Sequence, residues 1–305
     1  MPTTARRSVL GATALAVILV AGTGCSSGSG PAGGGDSEVL ESLGVLAEDG
    51  STQQVAYLDV DKAREVGKGY ERGLGSVGLP GGVLSGYPPP PWGEALTMTQ
   101  VDASIDTSSA GRWSGSFDVE AITAELKSNG YRQTGDDETW TNSGRNGLSL
   151  RVSKQEILYA VDDEASMAAV TPENGDSLGD KEEYQRVTEC LGDVYRADFS
   201  SLTSAEPVHL SALGQRAAST GTTGAKNTEI FCLIAKDEAT ADRAAENLRS
   251  VVAEEAPAFD GTKVTVGKGD RPVVRAVVPD TGAQRPGRLI LSDTDLWMAV
   301  APSEF

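Results

Sequence analysis

Residues 100–130 read QVDASIDTSSAGRWSGSFDVEAITAELKSNG, and the fold class turns on them. Val101, Ala103 and Ile105 alternate with Gln100, Asp102, Ser104 and Asp106, which is the period of a strand with one buried face. Trp113, Gly115 and Phe117 repeat the alternation against Arg112, Ser114 and Ser116. Asp118 then stands where a helix N-cap is wanted. Val119, Ile122 and Leu126 make one stripe behind it, Lys127 lies near the C-terminal end, and Gly130 is a stop. Two strands in sequence followed by one helix break the strict strand-helix alternation of a doubly wound sheet. The expectation is an α+β fold, with antiparallel sheets and amphipathic helices on one face.

Working outward, 55–60 is a short apolar strand, and 61–72 places Ala63, Val66 and Tyr70 at helical spacing. Residues 73–93 read as a loop that includes the polyproline run Pro88 to Pro91 between Tyr87 and Trp92, a stiff loop edge, the alternative being a docking surface for a partner. Strands are expected at 139–141, 148–153 and 157–161, which closes a first α+β block over 37–172. A second block, 173–305, begins with Asp180 and Glu183 in capping-box spacing. The helix behind them carries Tyr184, Val187, Leu191, Val194 and Tyr195 on one side, with Cys190 at the edge of the stripe. Strands at 208–213 and 228–235 follow, then a helix over 238–253, and strands at 263–266, 273–278, 288–291 and 296–300. The closing hairpins align without gaps, LSLRVSKQEILYAV (148–161) against GRLILSDTDLWMAV (287–300), so the blocks read as two similar subdomains. Antiparallel hairpins under amphipathic helices also resemble one another without duplication, and both readings stay open.

Composition narrows the function classes. With 26 basic and 44 acidic side chains in 305 residues, the net charge of -18 repels nucleic-acid phosphate and excludes DNA or RNA as a partner. His209 is the only histidine, so no multi-histidine zinc site is possible, and no cofactor is expected. Gly73 to Gly78 matches a dinucleotide fingerprint in letters only, because Leu79-Pro80-Gly81-Gly82 cannot open the helix that receives a pyrophosphate. Acidic runs at 136–138, 162–164 and 254–255 lack the ligand spacing of a calcium loop and read as solvated charge.

Arg6 and Arg7 precede the apolar stretch 9–21, which is shorter than the ~20 residues a spanning helix needs. Small residues then lead into a cysteine, as Ala21-Gly22-Thr23-Gly24-Cys25. This resembles the bacterial lipoprotein signal peptide, although Gly22 replaces the apolar residue usual three positions before the cysteine. The resemblance implies removal of 1–24, acylation of Cys25 and a protein held by lipid on the extracytoplasmic face of the cell membrane. An ordinary signal peptide or an uncleaved anchor are the alternatives. The stretch 25–36 is a flexible Gly/Ser tether. With Cys25 given to lipid, Cys190 and Cys232 are an even pair in an exported chain, most simply a disulfide.

Gly175-Asp176-Ser177-Leu178-Gly179 fits the G-x-S-x-G form and resembles the GDSL string of a family of serine esterases, which would make Ser177 a nucleophile and His209 its nearest base. The polar, proline-containing 170–174 is not the buried strand that a nucleophile elbow requires, and the other reading is a polar connection in which Ser177 and Asp180 open a helix. The Ala, Gly and Arg content also resembles actinobacterial exported lipoproteins. The expected function is a lipid-anchored, non-catalytic module that binds an envelope protein, a wall component or a small ligand. The alternative is a secreted hydrolase using Ser177; a solute receptor of paired α/β lobes does not match the pattern.

Overall fold

The two blocks share one antiparallel sheet, and the seam between them is a strand pair. A computed structural model describes residues 37–49, 52–66, 91–135, 138–142, 147–161, 164–173, 175–201, 208–218, 226–279 and 288–301. The expected signal peptide, Cys25 and the tether lie outside the described residues, as do 73–78 and most of the polyproline loop. In the first block run α1 (Glu38–Leu43), β1 (Gln54–Asp59), α2 (Val60–Val66), β2 (Val101–Asp106), β3 (Ala110–Gly115), α3 (Val119–Ser128), β4 (Arg132–Thr134), β5 (Thr139–Thr141), β6 (Ser149–Val152) and β7 (Glu156–Ala160). In the second run α4 (Glu182–Leu191), β8 (Arg196–Ser200), β9 (Val208–Ala218), β10 (Lys226–Ala235), α5 (Glu238–Glu254), α6 (Ala256–Phe259), β11 (Lys263–Val266), β12 (Val273–Pro279), α7 (Arg288–Leu291) and α8 (Asp295–Met298). Among the described residues the sheet has twelve strands, in the order β11-β12-β10-β9-β8-β1-β2-β3-β7-β6-β5-β4. The class is α+β.

Each block follows one path: a helix, a three-strand meander, a helix capped by aspartate, and a last strand that returns beside the third. Thus β7 pairs with β3 and β12 pairs with β10. The Asp118 carboxylate accepts from Ala121 N–H, and the Asp237 carboxylate from Thr240 N–H, so the two helices start on the same device. The blocks join where β1 lies antiparallel to β8, from Gln54 opposite Ser200 to Leu58 opposite Arg196.

Three expectations need correction. The stretches 288–291 and 296–300 are not a hairpin but the short helices α7 and α8. The Glu229 carboxylate on β10 accepts from Arg288 N–H and Leu289 N–H, both at 3.1 Å, which satisfies donors at the start of α7. Leu289, Leu296 and Val300 pack into the core under α5. The counterpart of the β6–β7 hairpin is therefore β11–β12, and the gap-free alignment with 287–300 paired a hairpin with helices.

Secondly, the capping box sits one turn earlier than Asp180 and Glu183. Ser177 and Asp180 exchange it around a 3-10 turn, Leu178–Asp180, while Lys181 at the start of α4 makes no side-chain cap.

Thirdly, helices cover both faces of the sheet. Ile230, Cys232 and Ile234 of β10 join the core under α1 and α4, whereas Phe231, Leu233 and Ala235 join the one under α5. An unbroken apolar run such as 230–235 belongs to a strand covered on both sides, and that signal was already in the sequence. A third, aromatic core holds Trp92, Trp113, Trp140, Tyr159 and Tyr195 with Ile122 and Leu126 of α3.

Candidate functional site

Ser177 is buried, and its surroundings close it. Its Oγ donates to Asp180 Oδ2 at 2.6 Å and accepts from Asp180 N–H at 3.2 Å, so the hydroxyl is engaged within its own turn. The hydroxyl donor and the Ser177 N–H, which donates to the same Oδ2 at 3.2 Å, hold the Asp180 carboxyl below the usual carboxylate range. Leu178 N–H donates to Leu46 O, and a β-bridge joins Ser177 to Ala47. A Cβ on Gly179 would sit 3.0 Å from both Gly44 N and Leu40 O, a tight fit against backbone where this turn meets the end of α1. The GDSLG string is a clasp between α1 and α4. His209 lies on β9, and among the described residues no hydrogen bond links it to Ser177.

Cys190 on α4 and Cys232 on β10 form a disulfide, with a Cα–Cα distance of 6.3 Å, so the helix-to-sheet pairing is shown. The end of α4 is held a second way. Arg275 Nε donates to Cys190 O, and Arg216 donates to Leu191 O and Asp193 O, all at 2.8 Å. Two guanidinium groups thus meet the carbonyl end of the helix dipole. Burial and the neighbouring Arg216 push the Arg275 pKa down.

The space left for a ligand lies elsewhere, on the α1 side of the sheet. A cleft of about 480 Å³ is floored by β1, β2 and β3 and walled by α1 and the start of α2. Its origin is a difference between the blocks. Helix α4 has ten residues and spans β9, β10 and β12, whereas α1 has six and meets the sheet at β2, so the first block leaves part of its face uncovered.

Lys62 is on the cleft lining, and its Nζ lies 2.7 Å from Glu38, 3.3 Å from Asp59 and 3.4 Å from Asp193. Burial alone lowers the Lys62 pKa, but the three carboxylates outweigh it and the ammonium is held charged. Asp59 is only 7% exposed, and burial raises its carboxyl despite Lys62. The hydrogen bond from Lys62 lowers Glu38. Burial pushes the Tyr57 phenol up. The other cation in the cleft, Arg112, pairs with Glu156. Both cations are thus already matched, while Glu41 and Asp102 are exposed carboxylates on the cleft lining. Sequence reasoning missed this site. Asp59 and Lys62 are three apart along the chain, as are Glu38 and Glu41, but the two pairs, Asp102 and Asp193 come together only through the fold.

On the opposite face, the Asp106 carboxylate accepts from Tyr159 Oη at 2.6 Å and from Trp113 Nε1 at 3.0 Å. Burial pushes its pKa up to about 6, against the hydrogen bonds that favour the charged form. Among the described residues, no group of three His, Cys, Asp or Glu side chains is placed to hold a metal ion, and no helix is long and apolar enough to cross a membrane. Comparison with family models, with curated proteins and with solved structures finds no match.

Proposed function

We propose that this protein is a non-catalytic binding module, tethered by lipid at Cys25 to the extracytoplasmic face of a cell membrane, and that it takes its ligand in the cleft beside α1. The observation that carries the reading is the uncovered sheet face itself: a cleft of about 480 Å³ with charged side chains on its lining, a volume suited to a small ligand or a peptide side chain with its neighbours. Lys62 and Arg112 are matched by carboxylates, so the unmatched charge of the lining is negative and favours a ligand that carries an ammonium or guanidinium group. The net charge of -18 attracts such a ligand at long range and keeps the domain off an anionic membrane surface.

Support for the tether comes from the order Arg6-Arg7, apolar stretch, small residues and Cys25, and from the glycine-rich chain that follows. That chain, thirteen residue steps from Cys25 to Glu38, cannot carry α1, a wall of the cleft, farther than about 47 Å from the acylated residue. Against hydrolysis stands the engagement of Ser177 Oγ by Asp180.

Two measurements test the reading. Palmitate incorporation and intact mass of the full chain are compared with those of Cys25→Ser; equal, unacylated masses would end the tether. Binding of a fluorescent tri-lysine peptide is then compared between the wild type, Glu41→Gln/Asp102→Asn and a control that removes the same charge elsewhere, Glu254→Gln/Glu255→Gln. The cleft pair is expected to weaken binding about tenfold and the control about twofold. Equal losses would show diffuse attraction and no cleft site. An active-site fluorophosphonate is expected to leave the protein unlabelled; labelling that Ser177→Ala abolishes would restore the hydrolase.

A further inference from the structure

The sheet face that carries α3 and α5 holds two apolar cores, and a buried polar row divides them. Arg196 on β8, Gln215 on β9 and Glu229 on β10 stand opposite one another in register, and each is 4% exposed or less. Both ends of the row are accounted for. Arg196 makes a two-pronged pair with Asp198, at 2.7 and 2.9 Å, and the Glu229 carboxylate receives the first N–H groups of α7.

The middle is not. Tyr195 Oη lies 2.7 Å from the Gln215 amide oxygen and 3.0 Å from that of Asn227, which is 1% exposed. A phenol has one proton, so it donates to one carbonyl only. The shorter contact takes that proton, and the longer is satisfied when Asn227 presents its NH2 group to Tyr195. Among the described residues Gln215 Nε2 meets no partner, and Asn227 is left with its oxygen in the place where its equally unpartnered nitrogen would stand. One buried donor and one buried acceptor thus remain, on side chains that both end against a single hydroxyl. Leaving both unpaired is costly, and three apolar residues, with Phe in place of Tyr195, would fill the same space without that cost.

We infer that the Gln215–Asn227 pair is an internal binding site for an ordered water, which accepts from Gln215 Nε2 and donates to Asn227 Oδ1. Water matches the requirement because it supplies both functions from one small centre. An anion would leave the acceptor unsatisfied and would add charge beside Glu229. The hydrated pair also explains why the two cores on this face stay separate: Tyr195 belongs to the aromatic core, Phe231 to the one under α5, and the polar row lies between them.

The test uses the full chain. In amide-resolved NMR of the wild type, the side-chain NH2 protons of Gln215 and Asn227 should show cross-relaxation with a long-lived water. Asn227→Leu alone strands the water and Gln215, and is expected to lower Tm by about 3 °C. Tyr195→Phe/Gln215→Leu/Asn227→Leu removes the need for water together with the hydroxyl that both amides serve, and should recover most of that loss while the water contact disappears. Absence of the contact in the wild type overturns the inference, and that measurement needs no variant to fold. So does a rise in Tm for Asn227→Leu alone, which would mean an empty, merely unsatisfied pair. A small organic adduct in the native mass spectrum, lost in the triple variant, would also overturn it in favour of a retained ligand.

Discussion

A single missing Cβ decides the arrangement around Asp106. At Gly111 a Cβ would lie 2.6 Å from Asp106 Oδ1 and 2.7 Å from Tyr159 Oη, inside the space their hydrogen bond occupies. Gly111→Ala must therefore part the pair or move β3. Urea denaturation is expected to show a loss of about 2–4 kcal/mol, as for overpacking combined with a broken buried hydrogen bond. The carboxyl of Asp106 also sets a pH dependence. Because burial raises its folded pKa to about 6 from an unfolded value near 3.8, the folded state holds the proton more tightly. Its contribution is fully present below about pH 4 and is lost as the pH rises through about 6, amounting to about 1–3 kcal/mol. Stability profiles between pH 3.5 and 7 should show this slope in the wild type and a flatter one in Asp106→Asn; identical slopes would contradict it. None of this was legible in the sequence, where Asp106 reads as the solvent-facing member of an alternating strand. A bulge between Val101 and Ala103 changes the parity of β2, so that its two ends face different cores.

At the level of elements, the α4 terminus shows how one helix is bound from several directions. The disulfide closes a separation of 42 residues, and loop-closure entropy puts its contribution at about 4 kcal/mol. Reduction by a dithiol should lower the urea midpoint accordingly, with an unchanged midpoint arguing that the reduced chain retains the same restraint. Arg275→Met removes a charged donor from Cys190 O and is expected to cost about 1–2 kcal/mol; Arg216→Met should cost a similar amount. The helix and the cysteine pairing were legible, because an amphipathic stripe and an even cysteine count are local or arithmetic signals. The closing helices were not. Short apolar runs such as 288–291 suit a strand and a helix turn equally, and the choice is made by Glu229, some sixty residues away, meeting their N–H groups.

For the whole molecule, the disulfide and the cleft lie on one connected path. Cys190 anchors the end of α4, Arg216 grips Leu191 O and Asp193 O, and the Asp193 carboxylate reaches Lys62 in the cleft. Reduction is therefore expected to loosen Asp193 and to change tri-lysine affinity about two- to fivefold at temperatures where the protein remains folded; Asp193→Asn should remove that sensitivity. If affinity is indifferent to reduction, the two regions are independent.

Local and pairwise signals in the sequence determined the α+β class, the helix capped by Asp118, the helix over 238–253 and the Cys190–Cys232 pair, because alternation, helical period, capping and cysteine parity act over a few residues or by count. It also carried, in residues 1–36, the signals from which the tether is proposed. Only the tertiary structure decided that the two blocks share one sheet, that helices back both of its faces, that GDSLG is a clasp and that a cleft opens beside α1. Those outcomes depend on contacts between residues tens to more than a hundred positions apart, such as Lys62 with Asp193 and Glu229 with Arg288, and no periodicity along the chain encodes them.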